Sequence, residues 1–176
     1  NDIGEFAFRD TILSKFEIDK KNKTFETPDG LYIIANKGKE LVAVAPSVEG
    51  EFSAATMGGN DKVEVVGNGA FSHNTKITSV VLPNVTEVGH NAFAQNENLT
   101  NVQLGALEKI GEYAFFSCFY LTTASFPTAL NIGPYAFMKC SRLTTINFPV
   151  TTSIGSNVFV NCSKLTIASF PAATTI

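Results

Sequence analysis

A chain of 176 residues with 44% hydrophobic and 16% charged residues can bury a substantial core, which excludes an intrinsically disordered segment. The formal net charge is −3, and residues 113–176 hold three bases (Lys139, Arg142 and Lys164) and no acid, which excludes a basic stripe able to grip nucleic acid. No apolar run reaches the roughly eighteen residues that a membrane-spanning helix needs.

The chain opens on Asn1, Asp2 and Ile3 without a charged, then apolar, then small-residue leader, as a mature or trimmed polypeptide would. The motif IGEFAF at residues 3–8 matches IGEYAF at residues 110–115, and Leu13, Phe16 and Ile18 follow it, so a partial first repeat is expected over residues 1–18. Residues 19–62 are richer in strand signals. Alternating runs at 31–35 and 41–45 flank NKGKE and predict a hairpin. Asp19, Asn22 and Asp29 lie in one polar stretch that lacks the ordered ligand series of a calcium loop, so a polar turn is expected there.

From residue 63 to 176 the chain repeats. Phenylalanine falls at 71, 93, 115, 137 and 159, a constant step of 22, and glycine keeps that step at 67, 89, 111, 133 and 155. Val66, Val88, Ile110, Ile132 or Ile154 precedes each glycine, and Ile77, Leu99, Leu121, Leu143 and Leu165 come later in each unit. Proline stands at 83, 127, 149 and 171, with Gly105 as the exception. In the unit around Phe115, Ile110, Ala114, Phe115 and Cys118 share one face of a short helical turn. Leu121, Ala124 and Phe126 then alternate as a strand does, and proline ends the strand because it has no N–H to donate. The glycine column predicts a bend or a close backbone approach in every unit. These readings give an α/β repeat: a solenoid of 22-residue coils with a parallel sheet on one face and short helical turns on the other.

The column pattern Leu-x-x-(Val/Ala/Ile)-x-(Leu/Phe)-Pro, then (Ile/Val)-Gly-x-x-Ala-Phe, resembles the BspA-like leucine-rich repeats of bacterial surface proteins. Residues 19–62 are similar to the strand-rich insertion this family often carries. The resemblance implies a non-enzymatic, extracellular adhesion or protein-interaction module at the cell surface. The array stops at Ile176, the isoleucine of an unfinished unit with no polar cap, so part of a longer array is expected, either monomeric or weakly associated end to end.

Few residues suggest chemistry. Asn74, Asn96, Cys118, Cys140 and Cys162 form one column, expected to point inward and bond backbone groups at the bend. Three thiols in a line have parallel Cβ vectors, unsuited to a disulfide, and make a poor tetrahedral zinc site. His73 and His90 occupy unrelated positions without a reactive partner, and GNGAF at 67–71 lacks the lysine and spacing of a phosphate loop. No catalytic residue, metal or cofactor is expected. The remaining surface is the outward face of the sheet, with Thr78, Thr100, Thr122, Thr144 and Thr166 in one column. Beside them stand Asn101, Gln103, Thr123, Ser125, Thr145 and Asn147. Threonine also favours strands for its own sake. As a binding face, this surface fits a protein or glycan ligand. Tyr113 and Tyr135, one unit apart, are the hint of a carbohydrate-binding alternative, and a passive stalk is a further one.

Overall fold

The computed structural model describes residues 3–176, so the first two residues of the expected opening repeat lie outside it. Four strands precede the array: β1 (Phe25–Glu26), β2 (Tyr32–Ala35), β3 (Glu40–Val44) and β4 (Gly50–Ser53). Each later coil adds a two-residue strand and a longer one. These are β5 (Val65–Val66) and β6 (Ile77–Leu82), then β7 (Glu87–Val88) and β8 (Asn101–Leu104). β9 (Lys109–Ile110), β10 (Thr123–Ser125), β11 (Asn131–Ile132), β12 (Thr145–Asn147), β13 (Ser153–Ile154) and β14 (Ile167–Ser169) complete the series.

The two-residue strands stack in parallel on β3 in the order β3-β5-β7-β9-β11-β13, each two-residue strand ending on the apolar residue before the glycine column. The longer strands form two parallel sheets, β4-β6-β8 and β10-β12-β14, with a break between β8 and β10. The predicted hairpin is β2 and β3, antiparallel around a turn at residues 36–38 whose Asn36, Lys37 and Gly38 all have positive φ. β3 pairs in parallel with β5 and β4 with β6, so the stretch 19–62 is stacked onto the array as another layer.

The helical turns expected opposite the sheet do not form: among the described residues there is no α-helix. The segment after each glycine is a chain of tight turns with left-handed residues at two fixed positions. The pairs are Gly69 and His73, Asn91 and Gln95, Tyr113 and Ser117, Tyr135 and Lys139, and Asn157 and Asn161, with φ between 50° and 65°. Phe6 and Asp10 repeat the geometry in the opening unit. A left-handed residue every fourth position interrupts the helical hydrogen-bond ladder. Alternate amides then turn to the next coil: Tyr113 N–H donates to the Pro134 carbonyl at 3.0 Å, Phe115 to Ala136 at 2.7 Å and Ser117 to Met138 at 2.9 Å. The amides between them close local turns, as Phe116 does onto Tyr113. Inward residues at i, i+4, i+5 and i+8 fit this turn chain as well as they fit a helix, and bonding between coils decides in its favour.

One apolar core runs from Tyr32 to Cys162. Its axis is the phenylalanine column, in which rings 71, 93, 115 and 137 stack at centroid distances of 4.8, 5.0 and 5.1 Å. Burying each such ring contributes about 2–3 kcal/mol. The glycine column lets backbones approach: a Cβ on Gly133 would lie 2.6 Å from the Glu112 nitrogen. A smaller cluster of Phe16, Ile33, Ala43 and Ala45 packs the opening segment against the hairpin.

Candidate functional site

The outward side chains of β6, β8, β10, β12 and β14 form the candidate face. Pairing sets Ser79 opposite Asn101 and Val81 opposite Gln103. Beyond the break, Thr123, Thr145 and Ile167 align, as do Ser125, Asn147 and Ser169. Asn101, Gln103, Thr123, Ser125 and Asn147 are exposed, and Thr145 is half-buried. The aligned residues from Ser79 to Ser169 carry no charge; Glu51 on β4 is the acid at the margin, where it accepts a hydrogen bond from Ser79 Oγ at 3.4 Å.

The threonine column turns out to have an internal task. Thr100 Oγ1 donates to the Thr78 carbonyl at 2.9 Å, Thr144 to Thr122 at 3.1 Å and Thr166 to Thr144 at 3.1 Å. Thr122 makes no matching bond to Thr100, because the sheet is broken there. These hydroxyls are therefore committed to joining coils, although their oxygens can still accept from a ligand. The structure thus sorts the predicted residues into a threonine seam (Thr100, Thr122, Thr144, Thr166) and freer amides and hydroxyls beside it. Two flanking features were not legible beforehand: the break between β8 and β10, and the partial exposure of Val102 and Leu104 beside it. Gly105, where other units have proline, was the signal available: its N–H donates to the Leu82 carbonyl at 3.2 Å, which extends the β6–β8 ladder.

The inward column behaves as its chemistry suggested. Asn74 and Asn96 donate to the carbonyls of Ala45 and Phe71, and the thiols of Cys118, Cys140 and Cys162 to those of Phe93, Phe115 and Phe137, all three at 3.1 Å. Burial raises all three thiol pKa values, that of Cys162 to about 11, so the thiolate needed for nucleophilic or redox chemistry is suppressed. His73 is nearly buried with Nδ1 3.3 Å from Asp10 Oδ1, and burial lowers its pKa. His90 is exposed, with Nδ1 3.9 Å from Glu112 Oε2. Asp19, Asn22 and Asp29 spend their side-chain oxygens on the amides of Lys21, of Thr24 and Phe25, and of Leu31. That is a polar turn.

On the turn side, Tyr113 and Tyr135 stack at 4.6 Å with planes 4° apart. They do not line a groove with the sheet-face residues, since they belong to the opposite half of each coil.

Residues 60–176 match the BspA type leucine rich repeat region in six copies. No curated protein sequence matches the chain. Among solved structures, the pneumococcal vaccine antigen PcpA is 17% identical with a TM-score of 0.76, covering 96% of this chain and 43% of its own. A leucine rich cell surface protein from Faecalibacterium prausnitzii is 22% identical with a TM-score of 0.74, covering 87% of this chain and 40% of its own. The leucine rich repeat protein of T. pallidum is 25% identical with a TM-score of 0.61 over 89% of this chain and 72% of its own. The chain thus spans less than half of the first and second of these proteins.

Proposed function

The chain belongs to the BspA-type leucine-rich repeat family, and on that premise we propose that it is a non-catalytic contact module of a cell-surface protein, binding a protein partner through the open sheet face. The observation that carries this reading is the uncharged and exposed set on either side of the break, Asn101 and Gln103 on β8 and Thr123, Ser125 and Asn147 on β10 and β12, which no other described residue covers. Short amides and hydroxyls can donate and accept with little loss of side-chain entropy. The backbone beneath them is pinned by ladders on both sides of the coil, so binding costs little reorganisation. Surface localisation is part of the proposal, supported by the family and by the Faecalibacterium relative being a cell surface protein.

The test is binding of the chain to a panel of immobilised extracellular-matrix proteins and to a glycan array, beside a Thr123→Arg/Asn147→Arg variant. These positions add bulk and charge to the face while leaving the threonine seam intact. Loss of protein binding in the variant supports the proposal. Protein binding that the variant retains refutes the face, and binding to glycans alone refutes the partner class.

A further inference from the structure

The turn side of the units around Gly111 and Gly133 carries a cluster that the repeat does not require. Tyr113 and Tyr135 stack on each other, and Phe116 meets Tyr113 edge-on at 5.6 Å. Lys139 Nζ lies 5.3 Å from the Phe116 ring centroid, and the Arg142 guanidinium lies 4.0 Å from that of Tyr120. Each cation thus reaches from one coil back onto an aromatic ring of the coil before it.

Three facts separate this cluster from the framework. First, the two tyrosines occupy a left-handed position, φ 54° and 57°, that Gly69, Asn91 and Asn157 fill in the other array units and Phe6 in the opening one. Glycine and asparagine tolerate that conformation best, so the fold alone would not select tyrosine. Second, the rings remain accessible: Tyr120 is exposed, and Tyr113, Tyr135 and Phe116 are half-buried. Third, neither Lys139 nor Arg142 has a carboxylate partner among the described residues. The coils beyond Glu112 contain no acid that could supply one.

We propose that this patch is a second contact site, independent of the open sheet face, and that it takes an acidic polypeptide segment. Carboxylates of the partner pair with Lys139 and Arg142, and an apolar or aromatic side chain between them packs on the tyrosine pair. Charge complementarity sets the sign: two cations without carboxylate partners stand in a coil free of acid, and Glu112 beside Tyr113 is the acid at the edge of the patch. The composition sets the class, since tyrosine, phenylalanine and arginine are the residues enriched at the centres of protein interfaces, where they act as anchors. A sugar is the poorer fit, because each tyrosine already has one face covered by the other and Phe116 adds an edge to Tyr113.

The test uses the whole chain and a peptide in which glutamate alternates with leucine and phenylalanine, with a lysine-for-glutamate control. The chain has four tyrosines and no tryptophan, and three of the four lie in the patch, so its own tyrosine emission reports contact. Two variants borrow residues that the same columns hold in other coils: Tyr113→Asn/Tyr135→Asn, and Lys139→Gln/Arg142→Asn. Asn91, Asn157, Gln95 and Asn98 are the precedents, so both variants keep a framework that the array already uses. The expected result is a shift in tyrosine emission with the acidic peptide and none with the control. Each double variant should lose at least about tenfold in affinity, the cation variant should lose most of the salt dependence, and Thr123→Arg/Asn147→Arg should bind as before. Absence of an emission change with the acidic peptide overturns the proposal, as does equal binding by both column-borrowed variants. Binding of heparin or polygalacturonate in place of the peptide overturns it in favour of an acidic glycan.

Discussion

Replacing Phe115 with alanine tests the stacked core at its centre. The ring is fully buried between Phe93 and Phe137, at 5.0 and 5.1 Å and within 6° of parallel to both. Removing a buried phenylalanine side chain costs about 3–5 kcal/mol, the range reflecting how far the site can collapse. Here collapse is opposed on both sides, because Phe93 N–H donates to the Ala114 carbonyl and Phe115 N–H to that of Ala136, which fixes the coil spacing. The expectation is therefore the upper part of that range, about 4–5 kcal/mol, a large share of the roughly 5–15 kcal/mol that holds a domain together. Phe159 sits in the same column in a half-buried setting, stacked on Phe137 at 5.8 Å, and its replacement by alanine should cost about half as much. Urea unfolding followed by circular dichroism measures both. A loss below about 2 kcal/mol for Phe115→Ala, or equal losses for the two variants, would refute the idea that neighbouring coils hold this ring in place.

Three further outcomes follow from the same geometry. Asn157 has φ 57°, so Asn157→Val should destabilise by about 1–2 kcal/mol while Asn157→Gly stays near wild type; equal stabilities would contradict the turn chain. His73 has its pKa lowered chiefly by burial, so the folded state resists its protonation. Stability linked to this group should be full above its unfolded value of about 6.5 and fall as pH drops from there through the folded value. Thermal melts should thus lose more stability between neutral and mildly acid pH in the wild type than in His73→Gln, and parallel profiles would contradict the assignment. The buried thiols should resist a disulfide reagent at pH 8 until the chain is unfolded, with Cys162 the first to react; rapid modification of Cys118 in the folded chain would be inconsistent with its full burial.

Much of this molecule was legible because stacking places every column in one repeated environment. Phe115 meets Phe93 and Phe137 in space because they stand 22 residues away in sequence, and the same step brings Cys140 under Cys118. The hairpin was legible for a different reason: its two apolar runs bracket Asn36 and Gly38, residue types that accept positive φ. The turn segments were misread as helical because Ile110, Ala114, Phe115 and Cys118 record only which side chains point inward. Whether the backbone between them bonds within a coil or across coils depends on the neighbouring coil. Asn91, Asn157 and Asn161, with Gly69, were the local sign of left-handed positions, diluted by Tyr113, Tyr135 and Lys139 in the same two columns. At the candidate face, the sequence could place Thr144 outward but could not reveal that its hydroxyl bonds the Thr122 carbonyl.

A protein partner seated on the open sheet face would leave its footprint on the amides of that face. Cross-saturation NMR on the deuterated chain, bound to whichever immobilised matrix protein it retains best, tests this most directly. The expected result is saturation at the amides of Asn101, Gln103, Thr123, Ser125 and Asn147. Saturation that spares all five and falls elsewhere on the chain would contradict it.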